Sequence, residues 1–450
     1  MLDIFTKVGL FMLLTSPIFA QTPAPTGAVV GTVRDQVTQE LLVGVTVRVP
    51  NGTQGAQTDV EGRFKLTLPV GTYTLAASYV GYVASEKFNI PVTSGNDNQI
   101  NFELITENKT LGEVIVRANR ATAAVSGIVT PNSIQRLTTE EIKTNPGGNF
   151  DISRVIQTLP GVGGSVGGLR NDIIIRGGAP NENVFYLDGI EIPVINHFQT
   201  QGGTGGPQGI LNVSFIEDVT VSSSSFDARY DNALASVFQF KQKEGNPNRF
   251  QGNLRLSGSE LALTTEGPIG PKTTFLASAR RSYLQYFFQL LDLPERPSYW
   301  DFQAKITHRF DKKTTLTAIG VGAIDEFRSA VPRNTTPDKE FTLRQIPIVD
   351  QWNYTAGLSL KRLINSGFYN VSVSRNAFDN AFDRFEDGKI GVESARALRL
   401  RSRETENKLR IDVNQSSGGW RLAYGASAQY VQFTNAIASK LRNAVRDANG

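Results

Sequence analysis

The chain has 450 residues and a formal net charge of +4, and its 46 basic and 42 acidic residues are interspersed, which argues against a nucleic-acid partner. It has no cysteine and two histidines, so disulfides and thiolate metal sites are excluded, and a catalytic zinc, which needs about three protein ligands, lacks candidates. A chain of this length forms several domains. Nothing after Ala20 approaches the ~18 consecutive apolar residues of a transmembrane helix, so a membrane role would fall to β-strands.

Residues 1–20 read as a cleaved secretory signal. Met1 to Lys7 carries one lysine, Val8 to Ala20 is an uncharged apolar run too short to span a bilayer, and the run ends on a small residue before Gln21. No cysteine follows, so a lipid anchor at that point is excluded. A Pro/Thr linker covers 21–26. From 27 to 104, "GAVVGTVRD", "GVTVRVP", "GRFKLTLP" and "GTYTLAASYVGY" are rich in Val, Thr, Tyr and Phe and are cut by Asn-Gly, Glu-Gly and Val-Gly turns. The pattern predicts a small antiparallel β-sandwich. Its spacing resembles the carboxypeptidase-regulatory-like domain of Bacteroidetes surface proteins, and a generic immunoglobulin-like spacer is the alternative.

That resemblance raises an enzyme hypothesis, since zinc carboxypeptidases carry a similar sandwich. Neither His197 nor His308 begins a His-x-x-Glu pair. No Gly-x-Ser-x-Gly elbow precedes a plausible helix, and "GVGGSVGG" and "QGGTGGPQG" lack the Gly-Lys-Ser/Thr ending of a phosphate cradle. The expectation is no enzyme, no cofactor and no metal.

Residues 107–120, "ENKTLGEVIVRANR", contain one isolated β-prone stretch, Glu113-Val114-Ile115-Val116. It reads either as the last strand of the sandwich or as an extended segment that a partner captures by strand addition.

From 131 to 243 the pattern becomes mixed α/β. "TTEEIKTNP" predicts a short helix stopped before Pro146, and "NFDISRVIQTLPGV" a second one with Asn149 or Asp151 near its cap. Strands follow at "DIIIRG", "VFYLDGI", "IEDVTVS" and "ASVFQFKQK", the first two separated by "GAPNEN" as if in a hairpin. The order "LPGV", "IIIRGG", "FYLDGIEIP", "NHF", "IEDVTV", "ARYDNALASVFQF" resembles the plug domain of TonB-dependent outer-membrane receptors in its Bacteroidetes form, here over 121–245. The resemblance implies that the hairpin obstructs a barrel lumen and that Glu113, Val114, Ile115 and Val116 form the TonB box. It also gives Arg176, Gly177, Gly178, Asp188 and Gly189 a gating or structural role. Arg176 and Asp188 are then buried polar contacts, either within the plug or between plug and wall, and both require partners. His197 in "NHF" is either a satisfied structural histidine or a substrate-facing one. Two departures stand out. Ala235-Ser236-Val237-Phe238 replaces the usual Gly-Gly-Val-Ile close, and "VIVRANR" replaces the "VVVGYG" of SusC-type glycan importers, so a SusD-like lid is not implied.

From 246 to 450, runs of about ten alternating residues with terminal aromatics match the two faces of transmembrane β-strands. In "WDFQAKITHRF", Trp300, Phe302, Ala304, Ile306 and Phe310 alternate with Asp301, Gln303, Lys305, Thr307 and Arg309. Trp352 to Lys361 and "WRLAYGASAQYVQF" repeat the pattern. His308 falls at an apolar position beside the Asp311-Lys312-Lys313 turn and reads as interfacial. About eight strands are expected, near 252–265, 272–284, 299–310, 314–325, 350–362, 366–378, 396–414 and 419–434. Eight strands enclose no room for a plug, whereas plugged transporters need about 22. These residues are therefore expected to be the first part of a longer transporter, and to aggregate or be degraded when made alone.

The whole is expected to be mainly β: a sandwich, a mixed α/β plug and an incomplete antiparallel transmembrane β-barrel. The resemblance implies an active transporter in the outer membrane of a Gram-negative bacterium, with its N-terminal domain in the periplasm. It would import a siderophore, cobalamin-like compound, peptide or glycan. Its partners would be TonB, with ExbB and ExbD behind it, and outer-membrane lipids. The alternative is a surface adhesin or scaffold anchored by a barrel.

Overall fold

The computed structural model describes residues 25–50, 52–94, 97–107, 134–138, 142, 145, 151–164, 170–223, 226–417 and 420–440. The signal segment, Glu113 to Val116 and most of "TTEEIKTNP" lie outside the described residues.

The sandwich is built from β1 (Thr26–Asp35), β2 (Thr46–Arg48), β3 (Gly55–Gln57), β4 (Arg63–Pro69), β5 (Gly71–Ser78), β6 (Tyr82–Val83), β7 (Ser85–Val92), β8 (Asn98–Gln99) and β9 (Phe102–Thr106). One sheet runs β4-β1-β9-β6 with β8 also on β1, and the other runs β3-β2-β5-β7. Strict alternation in β4 sends Phe64, Leu66 and Leu68 inward, where they pack with Val29, Leu75 and Phe102. The expected sheet was wholly antiparallel. In fact β1 runs parallel to β8 and β9, which follow β7 of the other sheet and so are reached by a crossover and not by a hairpin.

The plug contains β10 (Ile134–Thr138), β11 (Val162–Gly163), β12 (Ile174–Ile175), β13 (Asn183–Leu187), β14 (Ile190–Glu191), β15 (Ile216–Ser222) and β16 (Ser236–Gln242). Its main sheet has the order β10-β15-β16-β13-β14, with β13 parallel to β16. A helix over Ile152–Ile156 starts at Asp151, whose carboxylate accepts from the Ser153 amide at 2.9 Å. The "DIIIRG" and "VFYLDGI" strands do not form the expected hairpin, since β12 pairs with β11 while β13 pairs with β14 and β16. Two consecutive turns intervene. Arg176 (φ 49°) and Gly177 (φ 83°) take left-handed conformations, and a 3-10 turn over Pro180–Glu182 follows at once.

The barrel portion is a nine-stranded antiparallel meander in sequence order: β17 (Gln251–Leu256), β18 (Glu260–Gly270), β19 (Thr273–Ser282), β20 (Glu295–Arg309), β21 (Thr314–Ser329), β22 (Ile348–Ile364), β23 (Gly367–Phe385), β24 (Arg396–Ser417) and β25 (Trp420–Ser439). Among the described residues β17 and β25 are unpaired edges, so the barrel is not closed in this chain. The extra strand relative to the expectation comes from Ser257-Gly258-Ser259, a turn that splits the run near 252–265 into β17 and β18. One rim has short turns at 271–272, 310–313 and 365–366. The other has longer loops at 283–294, 330–347 and 386–395, which include helices at Leu284–Leu290 and Pro337–Gln345.

The alternation has the expected sidedness. In β20, Trp300, Phe302 and Ile306 are exposed, while Asp301, Gln303, Lys305 and Thr307 are buried. The buried polar face meets the plug, and Ile319, Val321, Ala323 and Phe378 of the wall join the plug's apolar core. The sandwich contacts the short-turn rim through Arg309, Lys361 and Arg249.

Candidate functional site: the seat of the plug on the barrel wall

The plug presents one loop to the wall near the long-loop rim. Its base is closed by the His197 amide donating to the Gln208 carbonyl at 2.8 Å and the Ile210 amide donating to the Ile195 carbonyl at 2.9 Å. Inside the loop, Asn196 Nδ2 donates to the Thr204 carbonyl at 2.7 Å, and Gln199 Nε2 to the Gly203 carbonyl at 2.6 Å. Gly206 is required for this closure, because a Cβ there would stand 2.0 Å from the His197 carbonyl oxygen. Asp151 ties the loop base to the helix, accepting from the Gly209 amide at 2.9 Å and from Asn171 Nδ2. Burial pushes its carboxyl pKa up, against those donors.

At the tip, His197 is fully buried between two wall carboxylates. Its Nδ1 lies 2.6 Å from Asp325 Oδ1 on β21, and its Nε2 lies 3.1 Å from Asp301 Oδ2 on β20. Burial alone would lower the imidazole pKa. The two aspartates outweigh it and hold the value up at about 9, so the ring is a doubly protonated cation at neutral pH and donates to both. The ring also stacks on Tyr299 at 3.7 Å between centroids, and Asp325 accepts from the Phe198 amide at 2.9 Å. Behind Asp301 stands Arg280, with Nε at 2.8 and 2.9 Å from its two oxygens and Nη2 donating to the Gly209 carbonyl at 2.7 Å. Tyr299 Oη donates to Glu260 at 3.0 Å. The result is a buried chain of alternating charge from Glu260 to Asp325, closed when the plug supplies His197.

Two further ionic seats add to the contact. Asp188 receives Lys305 Nζ of β20 at 2.9 Å and also Gln242 Nε2 at 3.0 Å, so it joins plug to wall and plug to plug at once. Lys408 of β24 reaches Glu191 at 2.5 Å and Asp231 at 3.2 Å. Between these elements and β23 lies a cavity of about 230 Å³, lined by Glu191, Gln199, Thr204, Asn376, Glu404 and Glu406 among others.

Of the residues expected from sequence, Asp188 is in the plug-to-wall contact. Arg176 stands exposed on a left-handed turn and is not buried as the resemblance implied. Gly177 and Gly189 occupy φ values of 83° and 84°, and a Cβ on Gly178 would meet that of Ala235 at 2.7 Å, so all three serve backbone geometry. His197 does not open toward solvent, because the wall occupies both ring nitrogens. Glu113, Val114, Ile115 and Val116 lie outside the described residues. Sequence patterning put Asp301 and Lys305 on the polar face without giving them partners, and it missed Arg280 and Asp325. The available signal was a full charge at the polar positions of a strand whose other face is Trp, Phe and Ile.

A plug domain seated by buried ion pairs on the polar face of an outward-apolar antiparallel meander defines the architecture of plugged outer-membrane receptors. Residues 128–237 match the TonB-dependent Receptor Plug Domain, and residues 29–116 match the CarboxypepD_reg-like domain, so the chain carries both. The second match runs past β9 and across Glu113 to Val116. No curated protein matches the chain. Among solved structures, a copper transporter, OprC, is similar at 13% identity, over 70% of this chain and 48% of its own, with a TM-score of 0.51. A mutant ferric enterobactin receptor of Pseudomonas aeruginosa in complex with enterobactin is 15% identical over 66% and 49%, with a TM-score of 0.46. The siderophore receptor PirA of the same organism is 14% identical over 67% and 48%, with a TM-score of 0.47. The chain spans about half the length of these structures.

Proposed function

We propose that the chain belongs to an active transporter of the outer membrane that is driven through TonB. The plug seated on the wall by His197, Asp188 and Lys408 is the observation that carries this. A passive anchor has no use for an obstruction held by buried, breakable ion pairs, whereas a gated channel has. The short-turn rim then faces the periplasm and the long loops face outward. The sandwich, which contacts the short-turn rim, is periplasmic on this reading. TonB would take Glu113 to Val116 as an added strand, and traction on that segment would unseat the plug. The proton gradient of the inner membrane supplies the energy. The substrate is a small molecule or oligomer imported through the opened path.

Val114→Pro or Val116→Pro removes a backbone donor from the captured strand. Receptor-dependent growth should be lost while the protein still reaches the outer membrane, as it should when the proton gradient is collapsed. Growth retained at normal receptor levels would overturn the proposal. Comparing expression under iron limitation and under glycan feeding narrows the substrate.

A further inference from the structure

We infer that the N-terminal sandwich is a releasable clasp, which fastens plug to wall at the short-turn rim and lets go before the plug moves. This rests on the transporter proposal above for its purpose, but its test does not.

The sandwich touches both bodies at once, and almost entirely through charges. Toward the plug, Glu103 of β9 lies 2.8 Å from Lys241 of β16. Glu217 of β15 is buried and receives the amide and the side chain of Asn101, both at 3.3 Å, with Lys87 at 3.6 Å. Burial would raise the Glu217 pKa, and Lys241 and Lys87 outweigh it and lower it. Toward the wall, Glu244 bridges Arg34 of β1, at 3.4 Å, to Arg309 of β20. Those two guanidinium groups overcome its burial and hold its carboxyl at about 2. Asp97 meets Arg249 at 2.8 Å and Gln251 at 3.0 Å, and Gln39 meets Lys361 of β22 at 2.9 Å.

An apolar interface of this extent would be permanent. A charged one exchanges its partners for water: its exposed pairs contribute only about 0–1 kcal/mol each and are screened by salt, while the buried carboxylates of Glu217 and Asp97 set the force at which it lets go. Asn101 and Glu103 are also placed where load arrives. They stand on and just before β9, the strand that leads into Glu113 to Val116. Traction on that segment therefore reaches the Asn101 and Glu103 contacts before it reaches β15 and β16.

These 450 residues have no cysteine, so Val114→Cys places a single thiol among them as a handle for pulling the receptor in a lipid bilayer. Two ruptures are expected, a weaker one that frees the sandwich and a stronger one that extends the plug. Glu103→Gln with Glu217→Gln should lower the first force about twofold and leave the second unchanged. Raising the salt concentration should lower the first force in the parent and much less in the double variant, which separates a lost charge contact from a misfolded sandwich. A single rupture, or a plug that extends before the sandwich frees, overturns the clasp. Both outcomes are read without TonB, so they stand apart from the growth test of Val114→Pro.

Discussion

His197 of the plug and Asp325 of the wall lie 2.6 Å apart, and the same imidazole reaches Asp301 from its other nitrogen. One plug cation thus neutralises two strands that are themselves neighbours, β20 and β21. Without it, Asp301 keeps Arg280, while among the described residues Asp325 keeps the Phe198 amide.

His197→Ala therefore leaves an uncompensated buried carboxylate, at a cost of ~3–5 kcal/mol. Cells carrying the variant should become more sensitive to large antibiotics, with receptor levels unchanged. Sensitivity equal to that of the parent would show that the other seats hold the plug alone.

The raised imidazole pKa couples plug seating to pH. The folded value of about 9 lies above the ordinary 6.5, so the stabilisation is complete below about pH 6.5 and is lost as pH rises through about 9. Protease cleavage of the plug in the purified receptor should accelerate between pH 8 and pH 10, roughly, and His197→Ala should remove that step. A pH-independent cleavage rate in the parent would contradict the cationic assignment.

Asp188 tests the second seat. Asp188→Asn keeps the left-handed backbone that Asp188 adopts at φ 50° but removes the charge facing Lys305, at ~1–3 kcal/mol. It should increase antibiotic entry. Permeability equal to that of the parent, at equal receptor levels, would show that the Lys305 pair does not hold the plug.

Gly206→Ala tests the loop that presents His197. Its new Cβ would overlap the His197 carbonyl, so the loop must open or shift, at ~1–3 kcal/mol. The expected result is a plug cleaved faster than the parent's at neutral pH, with the heat stability of the barrel retained.

The alternation in β20 and β22 was readable because a sheet between two different environments writes its faces into every second residue. Trp300, Phe302 and Ile306 are exposed while Asp301, Gln303 and Lys305 are buried, as the pattern required. The Asp151 cap and the strands β13, β15 and β16 were equally local. What failed was pairing. Nothing in "DIIIRGGAPNENVFYL" says that β12 will choose β11, because that choice depends on two turns set by Arg176, Gly177 and Pro180. The wall partners of His197 were invisible for the same reason. Asp301 and Asp325 belong to other strands, and only the closed fold brings them to one ring.

The long reach of these contacts also constrains the order of assembly. His197 meets Asp301 across 104 residues and Asp325 across 128, and Gln201 meets Glu404 across 203. The plug is translated before any of those partners exist, so its tip must wait with His197, Gln199 and Gln201 hydrated instead of seated. Each such contact closes a long loop, the kind of pairing that slows folding. The plug therefore locks late, when the strands from β20 through β24 are already paired. A newly exported receptor should pass through a stage in which its strands are paired and its lumen is still unblocked.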